Sequence, residues 1–322
     1  MFKGFGYIPD FKERSRIKDA ILNVVGYPYA PRRNEARIVI GLLNPKKDEK
    51  ILDIGCGEGI WYNDLKNKGY DIIGIDISKK DLSKLKNRTN LMELSADVLC
   101  CDGQNMCFKN SCFDKIFSIC VFEHIPDDTR AIEESNRVLK LNGYFIISVP
   151  RKDFPYLVKL MMSMPKMVKN RFGTSLIRQS NDIKELRINF DKKYSHYRNY
   201  DIESIEHNLK NCGFEIKKIE YNGKIFGAFV LGIIHSLKYF EWKKRFDTDY
   251  SFENSIIFGL SFPIFYFLFR LDDLFNRTGQ TFIIYAQKIR EFDNQSYELD
   301  LRGLRISMKE IITDKNIPIC LQ

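Results

Sequence analysis

From residue 50 to residue 150 the chain alternates short, mostly apolar runs with segments in which apolar and polar side chains recur at helical spacing. The runs near 50–54, 71–76, 91–96, 113–120 and 143–149 read as strands. Between the first two, Ile60 to Lys68 has helical spacing and stops at Gly69, a residue that tolerates the left-handed backbone on which helices often end. Strand and helix in alternation predict a parallel sheet with helices on both faces.

The flanks follow other patterns. Residues 11–25 and 32–43 have helical periodicity, interrupted by Gly26-Tyr27-Pro28-Tyr29-Ala30-Pro31, and Ile38, Val39, Leu42 and Leu43 make an apolar stripe. Beyond Pro150 the pattern predicts a helix over 201–212 and strands over 213–220 and 281–287. Two insertions separate these elements, about 151–195 and 222–279. Arg151 to Phe172 carries six basic residues, one acid and four methionines, with Leu157, Val158 and Leu160 beside Met161, Met162, Met164 and Met167. That surface is adaptable and apolar, suited to a lid or to a membrane face. In the second insertion, neither Ile225 to Leu237 nor Asn254 to Phe269 holds a charged residue. Both are shorter than the ~20 residues that span a bilayer as a helix. Shallow burial in one leaflet, a greasy tunnel for a lipid-like ligand, core helices and a dimer face are all consistent with them.

Composition narrows the picture only a little. A chain of 322 residues with 44% hydrophobic content has room for one large α/β domain with additions, or for two small domains. A formal charge of +9 admits an anionic membrane surface, but no arginine-rich tract marks a nucleic-acid module. Cys100, Cys101, Cys107 and Cys112 lack the paired spacing of a structural zinc site, so no metal ligands are assigned. The cysteine usage fits a reduced cytoplasmic compartment, and residues 1–16 lack the apolar core of a secretory signal.

The chemistry concentrates in Ile51-Leu52-Asp53-Ile54-Gly55-Cys56-Gly57-Glu58-Gly59. A strand, a glycine turn and a helix form the nucleotide-binding corner of a doubly wound sheet. A second strand, Asp71 to Asp76, ends in an acid placed to accept ribose hydroxyls. The spacing G-x-G-x-G differs from the G-x-G-x-x-G of dinucleotide sites, which disfavours a nicotinamide oxidoreductase. Asp53 and Glu58 beside the turn would repel a pyrophosphate and suit a ligand bearing an ammonium and a sulfonium.

These residues resemble the class I S-adenosylmethionine-dependent methyltransferases, in particular the small-molecule group with a D-x-G-C-G-x-G motif. The resemblance continues through Asp102-Gly103, Met106-Cys107-Phe108, Phe113 to Cys120, the loop Val121 to Ile125, Arg137 to Lys140 and Gly143 to Ser148. It implies a Rossmann-like, doubly wound sheet of seven strands with the last antiparallel. The domain then covers 50–289, after a helical cap over 1–49 and before a tail over 290–322. It implies that Asp53, Gly55, Cys56, Gly57 and Gly59 hold the methionine end of S-adenosyl-L-methionine. Asp76 and Ile77 then fall at the ribose, Asp102 and Gly103 at the adenine, and Cys120 beside the methionyl part. Tyr27 and Tyr29 are candidates to cover the cofactor.

Two histidines are candidates to accept a proton. His124 follows the fourth strand, and His196 lies in His196-Tyr197-Arg198-Asn199-Tyr200, similar to a segment that borders the acceptor pocket in related enzymes. The resemblance implies methyl transfer to a small acceptor, and the uncharged stretches of the second insertion point to an apolar or lipid-linked one and to peripheral membrane association. Methylation of RNA or protein, and non-catalytic cofactor binding within a complex, are the alternatives.

Overall fold

A computed structural model describes residues 30–153, 196–231, 233, 256–274 and 279–292. The helix expected over 11–25, Tyr27 and Tyr29, nearly all of the first insertion and the tail from 293 lie outside the described residues. Helix α1 is Ala30–Leu43; β1 (Lys50–Ile54), α2 (Ile60–Asn67), β2 (Asp71–Asp76), α3 (Lys79–Leu91), β3 (Val98–Cys100) and β4 (Phe113–Ile119) follow. After a 3-10 turn, Phe122–His124, come α4 (Asp128–Val138), β5 (Leu139–Pro150), α5 (Ile202–Asn211), β6 (Phe214–Asn222), α6 (Ile256–Leu271) and β7 (Thr281–Lys288).

The strands form one seven-stranded sheet in the order β3-β2-β1-β4-β5-β7-β6. Strand β7 runs antiparallel to both β5 and β6, and the remaining pairs are parallel. Because side chains alternate across a strand, the apolar runs feed two separate cores. Leu52, Ile116, Phe145, Ile147 and Ile284 face α4 and α5 with Ala131, Ile132, Ile205 and Leu209. Their neighbours Ile51, Phe117, Ile146 and Ile283 pack on the other side, with Val39 and Leu43 of α1, Leu65 of α2 and Leu85 of α3. Helices start where short polar side chains supply an acceptor: Ser78, Asp127 and Asp201 each bond an amide of the first turn.

The third strand lies at Val98–Cys100, not at 91–96. Helix α3 runs on to Leu91, which is 53% exposed, and the residues that reach β2 are Val98 opposite Gly74 and Leu99 opposite Ile75. Strand β5 begins at Leu139, four residues before the apolar run; its pairing with β4 shifts register between Phe113 and Lys115 to absorb the extra length.

In the second insertion, residues 226–231 are helical and α6 follows later. The two are joined by Asp272, whose carboxylate accepts from the amides of Lys224, Ile225, Phe226 and Gly227 at 2.8–3.0 Å. It supplies the acceptor that the start of a helix requires. Ile264 and Phe267 on α6 are 64% and 62% exposed. No described helix is long and apolar enough to cross a membrane.

Candidate functional site

Strands β1 and β4 are neighbours at the point where the strand order reverses, and ligands of open α/β sheets bind beyond the carboxyl ends of such strands. There the turn after β1 is tied to β2. The amides of Gly55 and Cys56 donate to the Ile75 carbonyl at 2.8 and 3.0 Å, and the amide of Gly57 donates to the Asp76 carboxylate at 2.8 Å. A second amide, from Ser78, reaches the other Asp76 oxygen at 2.8 Å.

Gly55, Gly57 and Gly59 have φ of 74°, 50° and 79°, a region that side chains disfavour. Their surroundings differ. A Cβ on Gly55 would lie 2.3 Å from Val121, and one on Gly59 would lie 2.4 Å from Leu85. A Cβ on Gly57 would meet no atom within 4 Å among the described residues, so of the three glycines only the middle one faces space that no described residue fills.

Asp53 is buried at the end of β1. Burial first, and the Asp76 charge second, push its carboxyl well above the usual range. Glu58 departs from the reading of the motif. Its carboxylate is engaged by Lys84 at 2.5 Å and Arg88 at 2.7 Å, so its charge is neutralised on α3. The acid that accompanies Asp53 is Asp76. Cys56 is buried against Gly74, and burial raises its thiol too, so only its backbone borders the turn.

Beyond β2 and β3, Ile77 is 73% exposed and Asp102 is exposed, while Gly103 is buried. Met106 and Phe108 turn inward, Phe108 edge-on to Phe113 at 4.9 Å. The Arg137 guanidinium holds this loop through the carbonyls of Met106 and Phe108.

Cys120 is the first residue past β4 rather than part of it, with φ of 54°. Its thiol donates to Glu35 at 3.2 Å, and burial raises its pKa. Glu35 also accepts from the Ser148 hydroxyl of β5 and pairs with Arg32 at 3.0 Å. A carboxylate only 2% exposed therefore lies at the ends of β4 and β5. Sequence reasoning missed it; α1 shows an apolar stripe but nothing that tells which strand end its polar side meets.

The two candidate histidines come together. The rings of His124 and His196 are 4.6 Å apart between centroids and cross at 76°. Residues next to His196 fasten its segment down: the Tyr197 amide donates to the Glu123 carbonyl at 2.8 Å, Arg198 donates to the Ile125 carbonyl at 2.7 Å and pairs with Asp128 at 3.0 Å, and the Tyr200 hydroxyl donates to Asp128 at 2.8 Å. Glu123, between Cys120 and His124, is 2% exposed. Burial lifts its carboxyl to about 8.

Residues 52–147 match the protein family described as a methyltransferase domain. The chain is 32% identical over 173 residues to an uncharacterised protein of Methanocaldococcus jannaschii, covering 53% of this chain and 63% of that one. It is 33% identical over 108 residues to the ubiquinone biosynthesis O-methyltransferase of Pelagibacter ubique, covering 34% of this chain and 45% of that one. It thus spans less than two thirds of these relatives. Among solved structures, phosphoethanolamine N-methyltransferase 2 of Haemonchus contortus superposes with a TM-score of 0.52 at 20% identity, over 85% of this chain and 56% of that one. Geranyl diphosphate C-methyltransferase of Streptomyces coelicolor gives 0.52 at 11% identity, over 89% and 91%. At these identities the likeness is one of fold.

Proposed function

We propose that this chain, which carries a class I S-adenosylmethionine-dependent methyltransferase domain, is an enzyme that methylates a small, apolar or lipid-linked acceptor. The observation that carries the reading is the corner made by Gly57, Asp53 and Asp76: a glycine facing open space, beside two acids at adjacent strand ends.

The residues suit the cofactor. A cationic ligand beside the two acids would favour the ionised form of the buried Asp53, Asp76 keeps unshared lone pairs for ribose hydroxyls, and Ile77 offers an exposed apolar side chain next to Asp76 for the adenosine. Gly55 and Gly59 keep the turn's shape, and Gly103 and Asp102 border the adenine end. S-Adenosylmethionine supplies the electrophilic methyl group. With it bound, the acceptor atom would form its bond to the methyl carbon as the carbon–sulfur bond broke, with the electron pair left on sulfur. The protein's share is to bring the acceptor into line behind the methyl group and keep water out. An acceptor that sheds a proton reluctantly needs a partner for it, and His124 and His196 stand where β4 ends.

The acceptor class draws support from two sources. One matched relative is an O-methyltransferase of ubiquinone biosynthesis, which favours an oxygen acceptor. The other is α6, which presents Ile264 and Phe267 to solvent beside Arg270, a pattern suited to peripheral contact with an anionic membrane surface on the cytoplasmic side.

Incubating the purified chain with methyl-labelled S-adenosylmethionine and fractionated cell extract tests this. Label in the lipid or small-molecule fraction is the expected result; label confined to RNA or protein would overturn the acceptor class. Membrane contact is tested separately by sedimentation with anionic liposomes, and a chain that stays in the supernatant would refute it.

A further inference from the structure

Three metal-ligating side chains converge just past β4. One donor atom from each of Glu123, His124 and His196 lies within 4.8 Å of the others, and His124 Nε2 is 4.0 Å from Glu123 Oε1. Two features make this more than proximity. Glu123 is 2% exposed, and its Oε2 atom has no hydrogen-bond partner among the described residues. A buried carboxylate oxygen left without a partner is costly unless something positive satisfies it. In addition, the His196 segment is pinned to the Glu123 turn by Tyr197, Arg198 and Tyr200, so its histidine is delivered to the carboxylate by a built framework. Arg32 pairs with Glu35 at 3.0 Å and its charge also reaches Glu123, but Oε2 of Glu123 still has no hydrogen-bond partner among the described residues.

We propose that Glu123, His124 and His196 form a binding site for a divalent first-row transition-metal ion that holds an oxygen atom of the methyl acceptor. Two imidazoles and one carboxylate suit zinc, cobalt, iron or manganese better than calcium or magnesium, which prefer all-oxygen shells. Bonds of about 2.0–2.2 Å place ligand atoms roughly 3.0–3.4 Å apart across the ion, so the three side chains close in by small torsional changes. Three protein ligands leave positions open for substrate. A hydroxyl oxygen in such a position loses its proton to solvent more readily, which assigns hydroxyl-bearing acceptors to the site. The imidazoles then serve as neutral ligands rather than as proton acceptors. The inference rests on the methyltransferase reading for its substrate, but not for the metal site itself.

The test uses the full chain, free of any affinity tag and stripped with a chelator. Cobalt(II) is titrated in and followed by its visible d–d absorption, while S-adenosylmethionine binding is measured separately by calorimetry. The expected result is a saturable band at one ion per chain, bleached by chelator, with affinity weakened at least roughly 10-fold in His124→Ala, His196→Ala and Glu123→Gln. S-Adenosylmethionine affinity in each variant should stay within about twofold of the wild type, which also shows that the variant has folded. If a variant misfolds, the near-isosteric Glu123→Gln decides. Absence of the band, or a band unchanged in Glu123→Gln, overturns the site. Cobalt binding without S-adenosylmethionine binding would uphold the site and overturn the methyltransferase reading. The reverse result would overturn the metal site alone.

Discussion

The carboxylate of Asp76 accepts a hydrogen bond from the backbone amide of Gly57 at 2.8 Å, joining the tip of β2 to the middle of the glycine turn. The acid and the turn are therefore one preorganised unit before any ligand arrives. Its second oxygen is held by the Ser78 amide, so the carboxylate plane is fixed from both sides. Preorganisation of this kind lowers the cost of ordering the site on binding.

The three glycines should separate under mutation. Gly57→Ala incurs roughly 1–2 kcal/mol for a left-handed alanine, but its methyl group meets no atom among the described residues. It should fold, with cofactor affinity reduced about tenfold or more because the methyl group occupies ligand space. Gly59→Ala carries the same backbone cost and adds a 2.4 Å clash with Leu85, worth roughly 1–3 kcal/mol of overpacking. Thermal melting beside calorimetry checks this: Gly57→Ala should be the more stable protein. The opposite order of stability would contradict the assignment.

Asp53 should make the ligand-free protein sensitive to pH. Its folded pKa is raised above the unfolded value, first by burial and then by Asp76, so the favourable state is the protonated one. That contribution is complete below the ordinary value of 3.8 and is lost as pH rises through the folded pKa. Asp53→Asn, neutral at every pH, should therefore melt higher than wild type at mildly alkaline pH, with the difference shrinking on acidification. It should also bind S-adenosylmethionine more weakly. A difference in melting temperature that is flat from acid to alkaline pH would contradict this.

Asp272 should matter for stability far more than an exposed acid would. Its carboxylate satisfies four amides at the start of the helix over 226–231. Asp272→Ala removes this acceptor from all four amides and should destabilise by at least about 2 kcal/mol, with Asn in between because it retains one acceptor oxygen. Urea denaturation of the three proteins measures the series.

Where chemistry is local in the chain, it could be read from the chain. The glycine turn, the acid closing β1 and the acid closing β2 are fixed by short spacings, and the alternating pattern gives the sheet. The misplaced third strand shows the limit of pattern: Leu91, Met92 and Leu94 look as apolar as Val98 and Leu99, and only pairing with β2 separates them. Glu58 is another case, since the salt bridges that neutralise it come from Lys84 and Arg88 on the next helix but one turn of the fold away. Glu35 and Glu123 stayed hidden for the same reason. Each is an ordinary glutamate until the fold buries it against partners far along the chain.

The cofactor corner is tested most directly by calorimetric titration of the full chain with S-adenosylmethionine and S-adenosylhomocysteine, with NADH as control and Asp76→Ala alongside. Micromolar binding of both sulfur ligands is expected, with none of NADH and a loss of at least about tenfold in affinity in Asp76→Ala without loss of fold. No binding of either sulfur ligand, or equal affinity in Asp76→Ala, would contradict it.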